Sequence, residues 1–194
     1  MIRILTFCII FTMITTLNLS AQILNDDFVS AKGNDIGNPV LKGSFHYNSK
    51  TQVYTLNGAG YNIWNERDEF FFLSKEGKGD FIFSANLAFV GEGIDPHRKA
   101  GLMFRSSLDE GSPYVDVAVH GDGLTSLQYR SVKGGETREM VTNVKAPEFV
   151  QIEKMGNIYM LRISKNNTPP DEVASVEVNL GENFHVGMFV CSHN

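Results

Sequence analysis

The chain has 194 residues, of which 42% are hydrophobic, 20% charged and 18 glycine. That composition fits one ordinary domain with its own core and excludes a disordered, collagen-like or disulfide-dense chain. Seventeen basic residues stand against 22 acidic ones, net −5, with no basic tract, which argues against a nucleic-acid partner, whose phosphates need clustered Lys and Arg.

In chain order, the first feature is export-like. Arg3 precedes an uncharged apolar stretch from Ile4 to Leu17, and Leu19-Ser20-Ala21 supplies small residues for cleavage. This is the order of a secretory signal, and the stretch is too short and Thr-rich for a membrane span. The expectation is a signal peptide over 1–21, a secreted or periplasmic domain over 22–194, and no membrane span after cleavage. An N-terminal anchor helix is the alternative. Without the signal the one remaining cysteine is Cys191, which has no partner for an internal disulfide and suits a bacterial envelope.

From there period-two alternation predicts strands throughout. Candidates are 44–47, 52–57 and 68–74. In 80–90, Phe81, Phe83, Ala85, Leu87 and Phe89 share a face. In 99–106, Ala100, Leu102 and Phe104 oppose Met103 and Arg105. In 114–120, Val115, Val117 and Val119 oppose Tyr114, Asp116 and His120. In 124–132, Leu127 and Tyr129 oppose Ser126, Gln128 and Arg130. Further candidates are 148–155, 158–164, 173–178 and 185–192. Turns are read at Gly77-Lys78-Gly79, Gly91-Glu92-Gly93, Gly121-Asp122-Gly123, Gly134-Gly135 and Gly156-Asn157. No segment has helical spacing. The predicted fold is all-β, an antiparallel two-sheet β-sandwich burying the Val/Phe/Leu faces.

Several motifs, in order, resemble concanavalin A-like lectin/glucanase domains. Asn25-Asp26-Asp27-Phe28 is similar to their Asp-Asp-Phe opening strand. Tyr54-Thr55-Leu56-Asn57-Gly58-Ala59-Gly60, Asn62-Ile63-Trp64 and Asp68-Glu69-Phe70-Phe71-Phe72 look like their second hairpin. Gly79-Asp80-Phe81, Lys99-Ala100-Gly101-Leu102-Met103-Phe104-Arg105, 115–123 and Leu127-Gln128-Tyr129-Arg130 follow. The resemblance spans 24–194. It is closest to a branch holding accessory domains of β-xylosidases and domains ahead of TolB-like β-propellers in exported bacterial proteins. It implies a jelly roll with a concave sheet. It also implies one more closing strand after 185–191, so the expectation is either that this strand is absent and leaves an open edge, or that the sequence is a fragment truncated at its C-terminus.

Hydrolases of this superfamily place carboxylates at alternate positions of one strand, because nucleophile and acid/base must flank the glycosidic bond about 5–5.5 Å apart. Here Glu66 and Asp68 alternate but Phe70 stands third, and Asp116 has Tyr114 and Ala118 as same-face neighbours. The 66–69 stretch reads as a solvated turn. There is no nucleophile elbow or P-loop, and Gly58-Ala59-Gly60 reads as turn chemistry. The histidines at 46, 97, 120, 185 and 193 form no metal-type pair; Cys191 with His193 reads as a buried thiol beside a terminal histidine. No cofactor is expected, although Asn25, Asp26 and Asp27 are candidate oxygen ligands for a structural calcium ion.

The candidate ligand site is the polar face opposite the Val and Leu residues: Arg105, Asp116, His120, Gln128 and Arg130, with Met103 beside them and Trp64, the single tryptophan, as stacking platform. Arg105 and Asp116 have a plainer reading as a cross-strand ion pair. The resulting expectation is a non-catalytic module that binds carbohydrate or a cell-envelope component. The alternatives are a divergent glycoside hydrolase using Glu66, Asp68 or Asp116, and a structural domain packed on a downstream β-propeller.

Overall fold

The computed structural model describes residues 27–194. The signal peptide expected over 1–21, Asn25, Asp26 and the Asp27 side chain fall outside the described residues, and so does the calcium site expected there.

After a 3-10 turn, Asp27–Ser30, the elements are β1 (Lys32–Ile36), β2 (Ser44–Asn48), β3 (Val53–Asn57), β4 (Ile63–Trp64), β5 (Arg67–Asp68), β6 (Phe70–Lys78) and β7 (Phe81–Asn86). Then come β8 (Lys99–Arg105), β9 (Tyr114–His120), β10 (Thr125–Arg130), β11 (Arg138–Val141), β12 (Phe149–Met155), β13 (Ile158–Ser164), β14 (Asp171–Glu177) and β15 (Asn183–Cys191). Every pairing is antiparallel. One sheet runs β1-β6-β15-β8-β9-β10-β11 and the other β14-β13-β12-β7, with the small hairpins β2-β3 and β4-β5 beside them. The protein is an all-β antiparallel sandwich. Among the described residues no helix is long and apolar enough to cross a membrane.

Alternation builds the core, because successive side chains of a strand point to opposite faces. Leu102 and Phe104 of β8, Val115, Val117 and Val119 of β9, and Leu127 of β10 share one inner cluster with Val150, Ile152, Tyr159, Leu161 and Ile163 of the smaller sheet. Phe81, Phe83 and Ala85 of β7 join them, so the face read for 80–90 is the inner one. Phe81 meets Phe104 and Phe184 edge-on at 5.8 and 5.9 Å between centroids, the geometry favoured by ring quadrupoles. Each such buried side chain contributes roughly 1.5–3 kcal/mol, so this layer holds the fold.

Some boundaries move. β1 and β11 lack an apolar alternation and escaped the sequence reading; β1 is exposed or half-buried except at Ile36, and β11 is wholly exposed, as befits the two edges of the sheet. Gly77 and Lys78 belong to β6, and the turn sits at Gly79, whose φ is +72°. Residues 27–30, expected to belong to an opening strand, form a 3-10 turn. β15, expected as a penultimate strand beside an open edge, is interior, paired with β6 on one side and β8 on the other.

Candidate functional site

The larger sheet has an outer face, turned away from the smaller sheet, and its register sorts the outward residues into cross-strand rows. One row reads Lys32, Ser74, Gly187, Met103, Asp116, Gln128 and Glu139. The next towards the start of β8 reads Phe72, Phe189, Gly101, Ala118 and Ser126. Lys99 and His120 pair beyond it, and Arg105, Tyr114 and Arg130 form the row on the other side of Asp116. Gly187 and Gly101 are required here: an added Cβ would lie 2.1 Å from the Leu73 carbonyl oxygen and 1.7 Å from that of Val117.

A short hairpin lies over this face. β4 and β5 pair Ile63 with Asp68 and Trp64 with Arg67, and the Glu69 N–H closes the base on the Asn62 carbonyl at 2.7 Å. Asn65, with φ +52°, makes the tight turn at the tip. Ile63 is fully buried in a second apolar cluster with Phe70, Phe72, Met103, Ala118 and Phe189. The tip reaches β10, where the Asn65 carbonyl accepts from the Arg130 Nη2 at 2.7 Å and the Thr137 N–H at 3.0 Å.

Asp68 closes the hairpin onto the sheet. Arg130 grips its carboxylate with both Nη atoms at 2.7 Å, and the Arg105 Nη1 donates to Oδ2 at 2.8 Å. All three side chains have no exposed surface. Arg105 also donates through Nη2 to the Asp109 carbonyl, and Arg130 through Nε to that of Gly135 at 2.8 Å. The Tyr114 ring lies between the guanidiniums, 5.1 Å from Arg130 and 5.9 Å from Arg105, with its hydroxyl 3.0 Å from Thr137 Oγ1. Two readings are corrected here. The 66–69 stretch is not wholly a solvated turn, because Asp68 is buried between two cations. Arg105 does not pair with Asp116; its carboxylate partner is Asp68.

Asp116 is left differently. Both carboxylate oxygens are buried without a hydrogen bond of ordinary distance and angle among the described residues, as is Oε1 of its row neighbour Gln128, although the Gln128 N–H lies near enough to favour the charged form of Asp116. Gln128 donates from Nε2 to Ser126 Oγ at 3.2 Å. Burial pushes the Asp116 carboxyl well above the usual carboxylate range, against the pull of the Lys99 ammonium; burial lowers Lys99 in turn. Lys99 donates to Asn62 Oδ1 at 2.8 Å and lies 6.0 Å from the Trp64 ring. Trp64 is half-buried. His120 is buried; its Nδ1 faces the Leu124 carbonyl at 3.1 Å, and burial together with Lys99 lowers it from 6.5 to about 4.

Of the six residues singled out in the sequence, five share the outer face of the sheet and Trp64 stands on the hairpin. Arg105 and Arg130 are engaged by Asp68. Asp116 and Gln128 carry the acceptors described above, His120 lies two rows from Asp116 beside Lys99, and Trp64 faces Lys99. Sequence reading missed Asp68 as the counter-ion, Lys99 and Asn62. One signal was available: two arginines flank Tyr114 across adjacent strands, and such a pair needs an anion.

Cys191 is a buried thiol whose Sγ donates to the Gly60 carbonyl at 3.2 Å, and His193 Nδ1 lies 3.5 Å from Asp95 Oδ2. Among the described residues no group of three or more His, Cys, Asp or Glu side chains is placed to hold a metal ion.

The fold and this face define a class: an antiparallel sandwich whose larger sheet carries a polar, hairpin-covered outer face. No family model and no curated protein matches the chain. Among solved structures it is similar to a functionally unknown protein from Saccharomyces cerevisiae, at 14% identity over 84% of this chain and 88% of that one, with a TM-score of 0.59. It is also similar to the Bacteroides ovatus xyloglucan PUL GH43B, at 12% identity over 83% of this chain and 35% of that one, with a TM-score of 0.46. The first likeness concerns the fold alone, and the second is too distant to bear on function.

Proposed function

We propose that this is a non-catalytic, exported β-sandwich module that binds carbohydrate on the outer face of its larger sheet. The observation that carries the reading is the set of unpartnered buried acceptors on Asp116 and Gln128. A buried acceptor without a donor costs about 1–3 kcal/mol, and a polyhydroxylated ligand brings donors in pairs at sugar-like spacing. Lys99, whose charge acts on Asp116, lies 6.0 Å from the Trp64 ring on the same face, so a cation and an aromatic plane suited to a sugar ring and its hydroxyls stand together there.

The arrangement argues against glycoside hydrolysis. A retaining mechanism needs a second carboxylate about 5–5.5 Å from the first. The positions that share the face nearest Asp116 are Met103 and Gln128 across the sheet and Tyr114 and Ala118 along the strand, none of them acidic. Asp68 accepts three hydrogen bonds from two arginines and has no exposed surface, an arrangement that holds a counter-ion rather than a nucleophile.

The test is calorimetric titration against soluble plant and bacterial polysaccharides, with Asp116→Asn and Trp64→Ala in parallel. Binding that both substitutions weaken tenfold or more supports the reading; about 1.4 kcal/mol corresponds to tenfold. Failure to bind any glycan overturns it. Release of reducing sugar by the wild type, lost in Asp116→Asn, overturns the non-catalytic part.

A further inference from the structure

We propose that the hairpin over residues 62–69 is a hinged flap, latched by the Asp68–Arg105–Arg130 ion cluster, which opens to admit ligand and closes on it. This rests on the reading of the outer face as the ligand site. The need for movement follows from burial: Asp116 is 0% and Gln128 1% exposed, so no ligand reaches them in the closed arrangement.

The attachment of the flap has the chemistry of a latch. Ile63 is its one fully buried apolar side chain, so apolar burial supplies only a small part of the attachment. The remaining ties are polar: the three bonds to Asp68, the Asn65 carbonyl with Arg130 and Thr137, the Asp68 N–H on the Glu110 carbonyl at 2.9 Å, Asn62 with Lys99, and a half-exposed Arg67–Glu110 ion pair at 3.0 Å. Charges withdrawn from water lose hydration that their mutual attraction only about repays. Opening returns Asp68 and both guanidiniums to water, so it forfeits little net electrostatic free energy. The sandwich core lies on the other face of the sheet and is untouched by the movement.

The hinge is present in the backbone. Gly60 has φ +131°, and a Cβ there would stand 2.0 Å from the Glu69 carbonyl oxygen; Gly58 precedes it against Phe71 and Val190. Both glycines precede the base of the hairpin; Asp68 pairs with Ile63 next to that base, and Arg130 also holds the tip through the Asn65 carbonyl at 2.7 Å, so one guanidinium fastens the hairpin at both ends.

The flap carries its own reporter, since Trp64 is the only tryptophan in the chain. In the free wild-type protein, native-state hydrogen exchange is expected to give flap amides, Asp68 and Glu69 foremost, an opening at least about tenfold more frequent than that of β9 and β12 amides. Asp68→Asn is expected to raise acrylamide quenching of Trp64 while far-ultraviolet circular dichroism stays native. The triple variant Asp68→Leu, Arg105→Met, Arg130→Met replaces the latch by apolar contact and is expected to slow flap exchange. Flap amides that exchange only with global unfolding overturn the proposal, as does quenching unchanged by Asp68→Asn in a folded protein. These readouts use no ligand, so they stand or fall separately from glycan binding.

Discussion

Asp116→Asn separates the cost of the candidate site from its use. In the wild type an acidic group with two oxygens and no donor in good hydrogen-bond geometry is buried beside Gln128, whose Oε1 also lacks one. Burial raises the folded-state pKa of Asp116 well above its ordinary 3.8. The native state therefore binds a proton more readily than the unfolded chain, and stability is lost as pH rises above 3.8 towards the folded pKa. Asparagine removes that ionisation. It also places an N–H2 donor in the row next to the Gln128 acceptor, where cross-strand Cβ atoms stand about 4.5–5.5 Å apart. One satisfied pair in place of unsatisfied acceptors corresponds to about 1–3 kcal/mol. Lys99 works the other way, because it loses a nearby anion; its pKa is already lowered by burial, so it sheds its proton at modest cost. The expected result is a protein more stable than wild type by about 1–3 kcal/mol at pH 7, with the gain shrinking towards pH 4. Urea unfolding at the two pH values measures this. A variant less stable than wild type at pH 7 would refute the reasoning, because it would mean that the Lys99–Asp116 attraction outweighs the burial of unpaired oxygens.

Three further outcomes follow from other residues. Gly187→Ala sets a Cβ 2.1 Å from the Leu73 carbonyl oxygen in an interior strand, and because backbone must move, it is expected to cost the upper part of the roughly 1–3 kcal/mol typical of overpacking, read as a lower urea midpoint. His120 falls from 6.5 to about 4 on folding, so its share of stability is lost as pH drops through that window, where the unfolded chain takes up a proton that the native state refuses. His120→Asn keeps a donor for the Leu124 carbonyl and should flatten the melting temperature against pH between 6.5 and 4; curves that superimpose on wild type would contradict the assignment. Cys191 is buried, its thiol pushed up to about 11, so iodoacetamide at pH 8 should leave it unmodified in the native protein and alkylate it in urea, as followed by peptide mass.

The legible part of the fold was the part governed by alternation. In β8, β9 and β10 the inner and outer residues fall on the faces that the period of two assigns them, because one side of each strand enters a core where a one-residue slip would bury the wrong set. β11 was not legible, since an edge strand with four exposed residues has no apolar face to announce it. The β4-β5 hairpin was opaque for another reason. Its two-residue strands are too short for a period, and its position depends on Asp68 meeting arginines 37 and 62 residues away. Long-range ion pairing leaves no spacing signature. The outer-face residues themselves were readable, but sequence gave Arg105 and Arg130 the same standing as Asp116, and only their partners tell them apart.

That difference bears on why such a face persists. The inner layer supplies an apolar core from both sheets and leaves the outer face free to hold groups that do not favour folding. A face kept only for stability would carry apolar residues there, since exchanging a buried ion cluster for well-packed hydrophobes is often neutral or stabilising. The outer face does this at Phe70, Phe72, Phe189, Met103 and Ala118, yet Arg105, Asp116, Gln128 and Arg130 are buried among them on β8, β9 and β10. Locally unfavourable chemistry of this kind, collected beside one short hairpin, is the pattern expected where stability has been given up for binding.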